Sequence, residues 1–494
     1  FINQLDLDLS ASDVLSSSLD RVIKGQEQII LSGLARSNDP ETIIAKWDKI
    51  FDSHRSILDF ELQEIELKER SKYGPRSIAI PWVERRQSLL DYFGTDQTSQ
   101  SPMPMVLSFR RNVLRPLSTE KSVASLKSST SSGLPDLVRK SEIKEDLSAN
   151  FDYYLERQDP CVLYTRTQEM LKTRNVWGYP ASETANEAAF YRPILAIQRA
   201  MPYRSSLLGP NHVEGHINRI IQTARMRGDY ILGGDFPAYD ATLKRNAQLG
   251  CFNYFKLMFQ QQYHERLESV GDKFSTIGIV TPEGVWDGPH GVPSGSTFTN
   301  EVDTVTQYLI LKELEIPDEE MDLQGDDNCI ITNNVDRIYK QFEDYGFTLS
   351  DEKTTKSKNS VQYLQLLFST HYADAMGNIG GIYPIYRALN RIVYPERFDD
   401  IADYGIAGSD YFSIRTISIL ENCKNHPLFV PFIKFILDLD KYRLEYSTNG
   451  LAAYIKRITE TSGVEDVFKY RYGDDVRGIS SFASVKVITE LKRG

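Results

Sequence analysis

Between residues 11 and 70 apolar positions recur at helical spacing. Leu15, Leu19, Val22 and Ile23 form one stripe and Ile43, Ile44 and Trp47 another, with charges between them, which predicts amphipathic helices. The pattern lapses over 95–135, where Ser, Thr, Pro and Gly surround a basic stretch and predict loop. A helix is expected over 211–228, stopped at Gly228. Tyr230-Ile231-Leu232-Gly233-Gly234-Asp235-Phe236 reads as a short buried strand. Helix returns over 241–270 and 296–316. Asp322-Leu323-Gln324 and Asn328-Cys329-Ile330-Ile331-Thr332 then flank a Gly325-Asp326-Asp327 turn, the pattern of a hairpin. Residues 338–345 predict a helix ended by Gly346, and 361–369 predict a strand. From about 386 onward the chain is mostly amphipathic helix, including 429–442.

Composition adds bounds. Hydrophobic residues make up 41% and charged residues 25% of 494, an ordinary globular balance with room for about three domains. No apolar run is long enough to predict a membrane span. Cys161, Cys251, Cys329 and Cys423 lie far apart, against a CxxC-type zinc site or a disulfide framework, and a reducing compartment fits. A net charge of −11 argues against coating nucleic acid with the whole surface. It leaves room for a basic channel, for which Arg110, Arg111 and Arg115, and Arg166, Lys172, Arg174, Arg192, Arg199 and Arg204, are candidates. The alternative for either group is a solvated face. His212 and His216 are four apart, but no HExxH pattern accompanies them; they read as a helix surface feature.

The carboxylates carry the chemistry. Nucleotidyl transfer needs two divalent ions close together, and magnesium prefers carboxylate and phosphate oxygens. Asp235 ends an apolar strand, and Asp326 and Asp327 sit at a hairpin tip. If those strands are neighbours, the three side chains converge. A Gly-Asp-Asp triplet alone is a common turn. The chain has a second one, Tyr472-Gly473-Asp474-Asp475, with no apolar strand on either side, and that copy reads as an exposed turn.

The order of motifs over residues 128–395 resembles that of viral RNA-dependent RNA polymerases. Asp235-Phe236-Pro237-Ala238-Tyr239-Asp240 resembles their motif A, Pro293-Ser294-Gly295-Ser296-Thr297-Phe298-Thr299-Asn300 motif B, and Gly325-Asp326-Asp327-Asn328 motif C. Residues 346–353 resemble the end of motif D, and 361–370 stand where motif E falls. Upstream, Lys172-Thr173-Arg174-Asn175-Val176-Trp177 looks like motif F and Thr130-Ser131-Ser132-Gly133-Leu134-Pro135 like motif G. The likeness is to double-stranded RNA virus enzymes, picobirnavirus-like first and partitivirus-like second.

That resemblance implies an α+β right-hand polymerase fold of fingers, palm and thumb, with an antiparallel palm sheet flanked by helices. Residues 1–228 would be the N-terminal region and fingers, 229–255 palm with motif A, 256–288 a fingers insertion, 289–385 palm with motifs B to E, and 386–494 thumb and C-terminal segment. It implies template-directed extension of RNA by nucleoside triphosphates, for viral genome replication and transcription. Asp235 and Asp326 would ligate both ions, with Asp327 a weaker ligand or an orienting charge. The ions would be magnesium, with manganese the alternative. Asp240 would sense the ribose 2′-hydroxyl, supported by Ser294, Thr299 and Asn300, while Gly295 would let the backbone flex or approach the template. Asp303 stands nine positions after Ser294, where many single-stranded RNA virus enzymes carry Asn; the sugar-sensing role falls to Asn300 or is shared by Asp303. Lys172 and Arg174 would neutralise the triphosphate. Lys353 would be the acid for pyrophosphate, with Lys356 and Lys358 as competitors. Ser132, Gly133 and Pro135 would guide the template, or form a plain Ser-rich turn. Expected partners are RNA template and product, nucleoside triphosphates and a viral capsid protein, with no membrane. The enzyme is expected as a monomer, in the virion interior and host cytoplasm. Two rivals remain at this stage: a reverse transcriptase-like polymerase, and a non-catalytic capsid-associated RNA-binding protein.

Overall fold

The computed structural model describes residues 1–94, 103–106, 108–397, 401, 405–462 and 479–494, with 459–462 by backbone alone. The second Gly-Asp-Asp copy, at 473–475, lies outside the described residues. Among these, ten strands form three sheets. In chain order they are β1 (Cys161–Thr167), β2 (Thr173–Gly178), β3 (Tyr230–Gly233), β4 (Ile279–Thr281), β5 (Gly284–Trp286), β6 (Met321–Gln324), β7 (Asp327–Thr332), β8 (Thr355–Ser357), β9 (Ser360–Tyr363) and β10 (Leu366–Ser369).

The central sheet runs β6-β7-β3-β8, with every neighbouring pair antiparallel. Its period-two alternation sends Ile231, Cys329 and Ile331 to one face and Leu232, Leu323 and Ile330 to the other. The first face packs on helix Pro210–Arg227 through Val213, Ile217, Ile220, Ile221 and Ala224. The second packs on helices Arg245–Lys256, Thr299–Lys312 and Val335–Asp344. Burial on both faces is why β3 and β7 read as unbroken apolar runs. The α+β class expected from the sequence is the observed one.

A second sheet runs β2-β1-β4-β5, with β1 antiparallel to β2 and parallel to β4. The chain leaves this sheet after β2, builds β3, and returns to it with β4. The helices of the N-terminal region take a course that no local pattern announces. Pro40–His54 and Phe60–Ser71 pack on the C-terminal helices. Trp47 lies 5.1 Å from the Phe432 ring. Buried Glu66 accepts the backbone N–H groups of Ile385 and Tyr386 at 2.6 and 3.0 Å, capping helix Ile385–Val393.

Several expectations need correction. The helix predicted over 241–270 is broken between Arg245–Lys256 and His264–Thr276. There the crossing segment 112–114 donates its N–H groups to the carbonyls of Leu257 and Met258. The helix predicted over 296–316 spans only Thr299–Lys312. Within the predicted loop 95–135 a short helix, Thr119–Ala124, is capped by Ser118. His216 is not a surface feature: it is buried, with Nδ1 2.5 Å from Asp322 Oδ2. The strand predicted over 361–369 is the β9–β10 hairpin, turned at Leu364 and Gln365 with φ of 50° and 65°. Two consecutive left-handed residues make a type I′ turn, which usually takes Asn-Gly; Leu-Gln carries no such signal. Gln365→Gly relieves the left-handed strain at an exposed position. It is expected to stabilise the fold by about 0.5–1 kcal/mol, read as a raised midpoint in denaturant.

Candidate active site

The Gly325-Asp326 pair forms the two-residue loop between β6 and β7, with Gln324 opposite Asp327. Gly325 has φ 61°, as the first central residue of a type II′ turn requires. The turn is held from helix Thr299–Lys312. The Gly325 N–H donates to Thr304 Oγ1 at 2.8 Å, and Gln307 Nε2 donates to the Gly325 carbonyl at 2.7 Å. Asn328, just past the turn, donates Nδ2 to Gln307 Oε1 at 2.9 Å and accepts the Gly234 N–H on Oδ1 at 2.7 Å. One connected polar network therefore joins the helix, the turn and the end of β3.

Asp235 lies two residues past the end of β3. Its N–H donates to Thr354 Oγ1 at 3.2 Å, and its carbonyl accepts the Ser350 N–H at 2.8 Å. The loop carrying Lys353 is thus tied to the backbone of Asp235. Lys356 instead sits over the Tyr339 ring at 4.5 Å, and Lys358 over the Tyr230 ring at 4.9 Å. Of the three lysines, Lys353 is the one whose charge registers at Lys172.

Asp235, Asp326 and Asp327 lie near enough to feel one another's charge. Burial pushes Asp327 up to about 7, and the charges of Asp326 and Asp235 add to the shift. Asp326 is exposed as a residue, yet burial of its carboxyl by the surrounding protein raises its pKa. Arg174 and Lys172 oppose that rise and Asp235 adds to it. Lys172 and Arg174 therefore face the acidic cluster. A residue that local pattern missed supports them: buried Arg85 donates to Asn175 Oδ1 at 2.9 and 3.1 Å and to Thr165 Oγ1 at 2.5 Å. It braces the β1–β2 hairpin that carries both basic side chains. Arg204, by contrast, is no part of a basic channel. It is buried in a bidentate ion pair with Glu301 at 2.7 and 2.8 Å, which anchors the first turn of helix Thr299–Lys312.

Ala238, with φ 48°, turns the chain between Asp235 and Asp240. Asp240 shares a hydrogen bond with buried Asp303. Burial raises both carboxyl groups, Asp303 well above the ordinary range. Two close carboxylates cannot both ionise cheaply, so Asp303 keeps the shared proton and Asp240 accepts it. Asp303 Oδ1 is buried and has no hydrogen-bond partner in the protein. Asn300 lies over the turn instead: its Nδ2 is 3.3 Å from where a Gly325 side chain would begin. Thr299 Oγ1 donates to the Pro293 carbonyl at 2.7 Å and so closes its own loop. Ser294 Oγ accepts the Trp177 N–H at 3.4 Å and donates to the Asn175 carbonyl at 3.3 Å, clipping the loop to β2.

Of the residues expected to guide the template, Ser132 and Gly133 are packed into the protein. Ser132 is 1% exposed and its hydroxyl accepts the Val138 N–H, so its side chain shapes its own loop. A Cβ on Gly133 would meet the Tyr179 carbonyl oxygen at 2.4 Å. Pro135 follows in the same loop, half-buried. A Cβ on Gly295 would lie 1.6 Å from the Trp177 carbonyl oxygen. The close approach that requires glycine there is to the Trp177 carbonyl of β2.

With this geometry in hand, the chain can be set beside known proteins. Residues 95–377, more than half of the chain, match the family of viral RNA-dependent RNA polymerases. A potential RNA-dependent RNA polymerase of human picobirnavirus is 25% identical over 472 residues, 88% of this chain and 87% of that protein. The crystal structure of the RNA-dependent RNA polymerase of a human picobirnavirus shares the fold with a TM-score of 0.79, and its insertion-loop deletion mutant with 0.80. Both are 22% identical, with 98% of each chain covered. The chain belongs to the viral RNA-dependent RNA polymerases. Within them it is picobirnavirus-like, its fold is the right-hand polymerase fold, and its substrates are RNA and nucleoside triphosphates. The reverse-transcriptase and non-catalytic readings fall with that membership.

Gln307→Ala leaves the Gly325 carbonyl and one Asn328 amide hydrogen unpartnered. It is expected to cost about 2–3 kcal/mol of stability and to lower turnover more than nucleotide affinity, as denaturant titration and steady-state RNA synthesis would show.

Proposed function

We propose that the chain extends RNA by two-metal-ion nucleotidyl transfer at Asp235, Asp326 and Asp327, with magnesium as the ion and manganese as the alternative. The observation that carries this reading is the grouping of three carboxylates, one from just past β3 and two from the β6–β7 turn: burial raises Asp327 to about 7, and the charges of Asp326 and Asp235 add to that rise. Among the described residues no three His, Cys, Asp or Glu side chains close into a metal cage. Magnesium keeps waters and takes phosphate oxygens from a substrate, so a bound nucleotide would have to complete its coordination beside these carboxylates. Bound there, the ions would activate the 3′-hydroxyl and stabilise the leaving pyrophosphate.

The chain's own residues do the rest. Lys172 and Arg174 hold the triphosphate, and Lys353 gives a proton to the departing pyrophosphate. Asp240 and Asp303 read the ribose 2′-hydroxyl as a pair, and the unpartnered Asp303 Oδ1 supports that assignment. The RNA template passes the loop of Ser132, Gly133 and Pro135. Genome replication and transcription by a monomer inside a virion, beside capsid protein, and in the host cytoplasm belong to the same proposal. It draws on kinship with double-stranded RNA virus enzymes. No helix among the described residues is long and apolar enough to cross a membrane.

Replacing Asp326 and Asp327 by Asn is expected to abolish ribonucleotide incorporation on an RNA template while RNA binding survives. Magnesium should raise the melting temperature of the wild-type protein and leave that of the double variant unmoved. Undiminished synthesis by the double variant would sink the site. Separately, Asp303→Ala is expected to lower the preference for ribo- over deoxyribonucleotides about tenfold, since an unmade buried hydrogen bond costs about 1–3 kcal/mol. Competition between the two nucleotide types in one reaction reads that ratio.

A further inference from the structure

Glu187 is a buried carboxyl group that the chemistry above does not use. It projects from helix Ala181–Gln198 into the loop ahead of helix Thr299–Lys312. Ser296 Oγ lies 2.8 and 2.9 Å from its two oxygens, and the Thr297 N–H donates to Oε2 at 2.8 Å. Ser296 Oγ in turn accepts the Phe298 N–H at 3.0 Å. On the loop's other side Ser294 is bonded to β2, with Gly295 pressed against the Trp177 carbonyl. The loop is therefore gripped at Ser294 and at Ser296–Thr297, and the second grip is one carboxyl group.

Among the described residues no cation forms an ion pair with that group. Lys273 reaches Glu183, one turn earlier on the same helix, at 3.8 Å. A buried charge without a counter-ion is costly, so packing alone would favour an uncharged side chain. The groups that face Glu187 are the Glu183 carboxyl, the Tyr179 hydroxyl and the Cys161 thiol of β1. Burial keeps the last two protonated, Tyr179 and Cys161 both lying well above their ordinary values. Burial also raises Glu187, to about 8, against the opposing hydrogen bonds from Ser296 and Thr297.

We propose that Glu187 is a positioning residue for nucleotide binding: its carboxylate latches the 293–298 loop through Ser296 and Thr297, and so sets Ser294, Thr299 and the helix bearing Asp303 against the incoming nucleotide. This rests on the reading that the loop lines the nucleotide site. The ionised group accepts both hydrogen bonds at charge-assisted strength. Once protonated it must place a hydrogen of its own among the same partners, and the latch loosens.

The two consequences of ionisation run in opposite directions. The folded-state pKa lies above the ordinary 4.5, so the stability this group contributes is complete below that value and is lost as pH rises through about 8. The latch tightens over the same interval. Nucleotide KM should therefore improve with pH while melting temperature falls.

The test measures KM, kcat and melting temperature from about pH 6.5 to about pH 9 for the wild type, Glu187→Gln, Glu187→Ala and Asn300→Ala, with magnesium, RNA template and nucleoside triphosphates. In the wild type, KM is expected to fall severalfold through about pH 8 as melting temperature drops. Glu187→Gln should lose that limb of the profile, and Glu187→Ala should raise KM by about tenfold or more with a smaller change in kcat. A Glu187→Gln enzyme that keeps the wild-type limb overturns the proposal, as does Glu187→Ala with wild-type KM. If Glu187→Ala does not fold, Glu187→Gln, which keeps the volume, decides alone. Asn300→Ala separates the two readings. A raised KM there beside an unchanged Glu187→Ala fails Glu187 only, whereas unchanged KM in both fails the loop reading as well.

Discussion

Asn328 stands between the strand that leads into Asp235 and the helix that faces the Gly325-Asp326 turn. Its amide spends one end on the Gly234 N–H and the other on Gln307, while Thr304 and Gln307 take the two backbone groups of Gly325. The apolar packing around this network tolerates small displacements of strand against helix. The network does not, because each buried group left unpaired costs about 1–3 kcal/mol. A slip of one residue would also turn every side chain of β7 to the wrong face. The relative placement of Asp235, Asp326 and Asp327 is thus imposed by neutral hydrogen bonds behind them.

That division of labour has a reason. The carboxylates repel one another and cannot hold themselves together; burial raises Asp327, and the charges of Asp326 and Asp235 raise it further. The basic side chains that moderate it are carried on another sheet, at the β1–β2 hairpin braced by Arg85. The acidic cluster comes from the central sheet and the basic side chains that oppose it from its neighbour, so the two sheets set opposite charges against one another. A net charge of −11 over the chain does not disturb this, because exposed charges farther than about 10 Å are largely screened by salt.

What could be read from the sequence follows the range of the interactions involved. The β6–β7 hairpin, β3 and helix Pro210–Arg227 declare themselves through Gly325, Gly228 and apolar runs, all local signals. The three carboxylates come from two adjacent strands, an adjacency the sequence reading held only as a condition and that the β3–β7 pairing supplies. Residues whose meaning depends on a distant partner left no local trace. His216 and Asp322 look like ordinary polar positions until they meet across 106 residues. Glu66 is one glutamate in a charged helix, and its burial against Ile385 is a tertiary fact. Ser132 and Gly295 owe their places to contacts the local sequence does not announce, the Ser132 hydroxyl to the Val138 N–H and Gly295 to the Trp177 carbonyl. Leu364 and Gln365 adopt a turn their side chains disfavour because β9 and β10 are held by the core on which they pack.

Asp303 shows where motif reading and physics part. A position at which many related enzymes carry an amide has an acid here, and taken alone that would weaken recognition of a sugar hydroxyl by adding charge beside Asp240. Burial changes the outcome. With the low-dielectric interior refusing a second negative charge, Asp303 remains protonated and donates to Asp240, which is the hydrogen-bonding an amide N–H would supply. Its other oxygen remains an acceptor without a protein partner, as an amide carbonyl would. A protonated carboxyl is close to an amide in shape, with one donor and one acceptor, so the substitution preserves the pattern while making it depend on a proton.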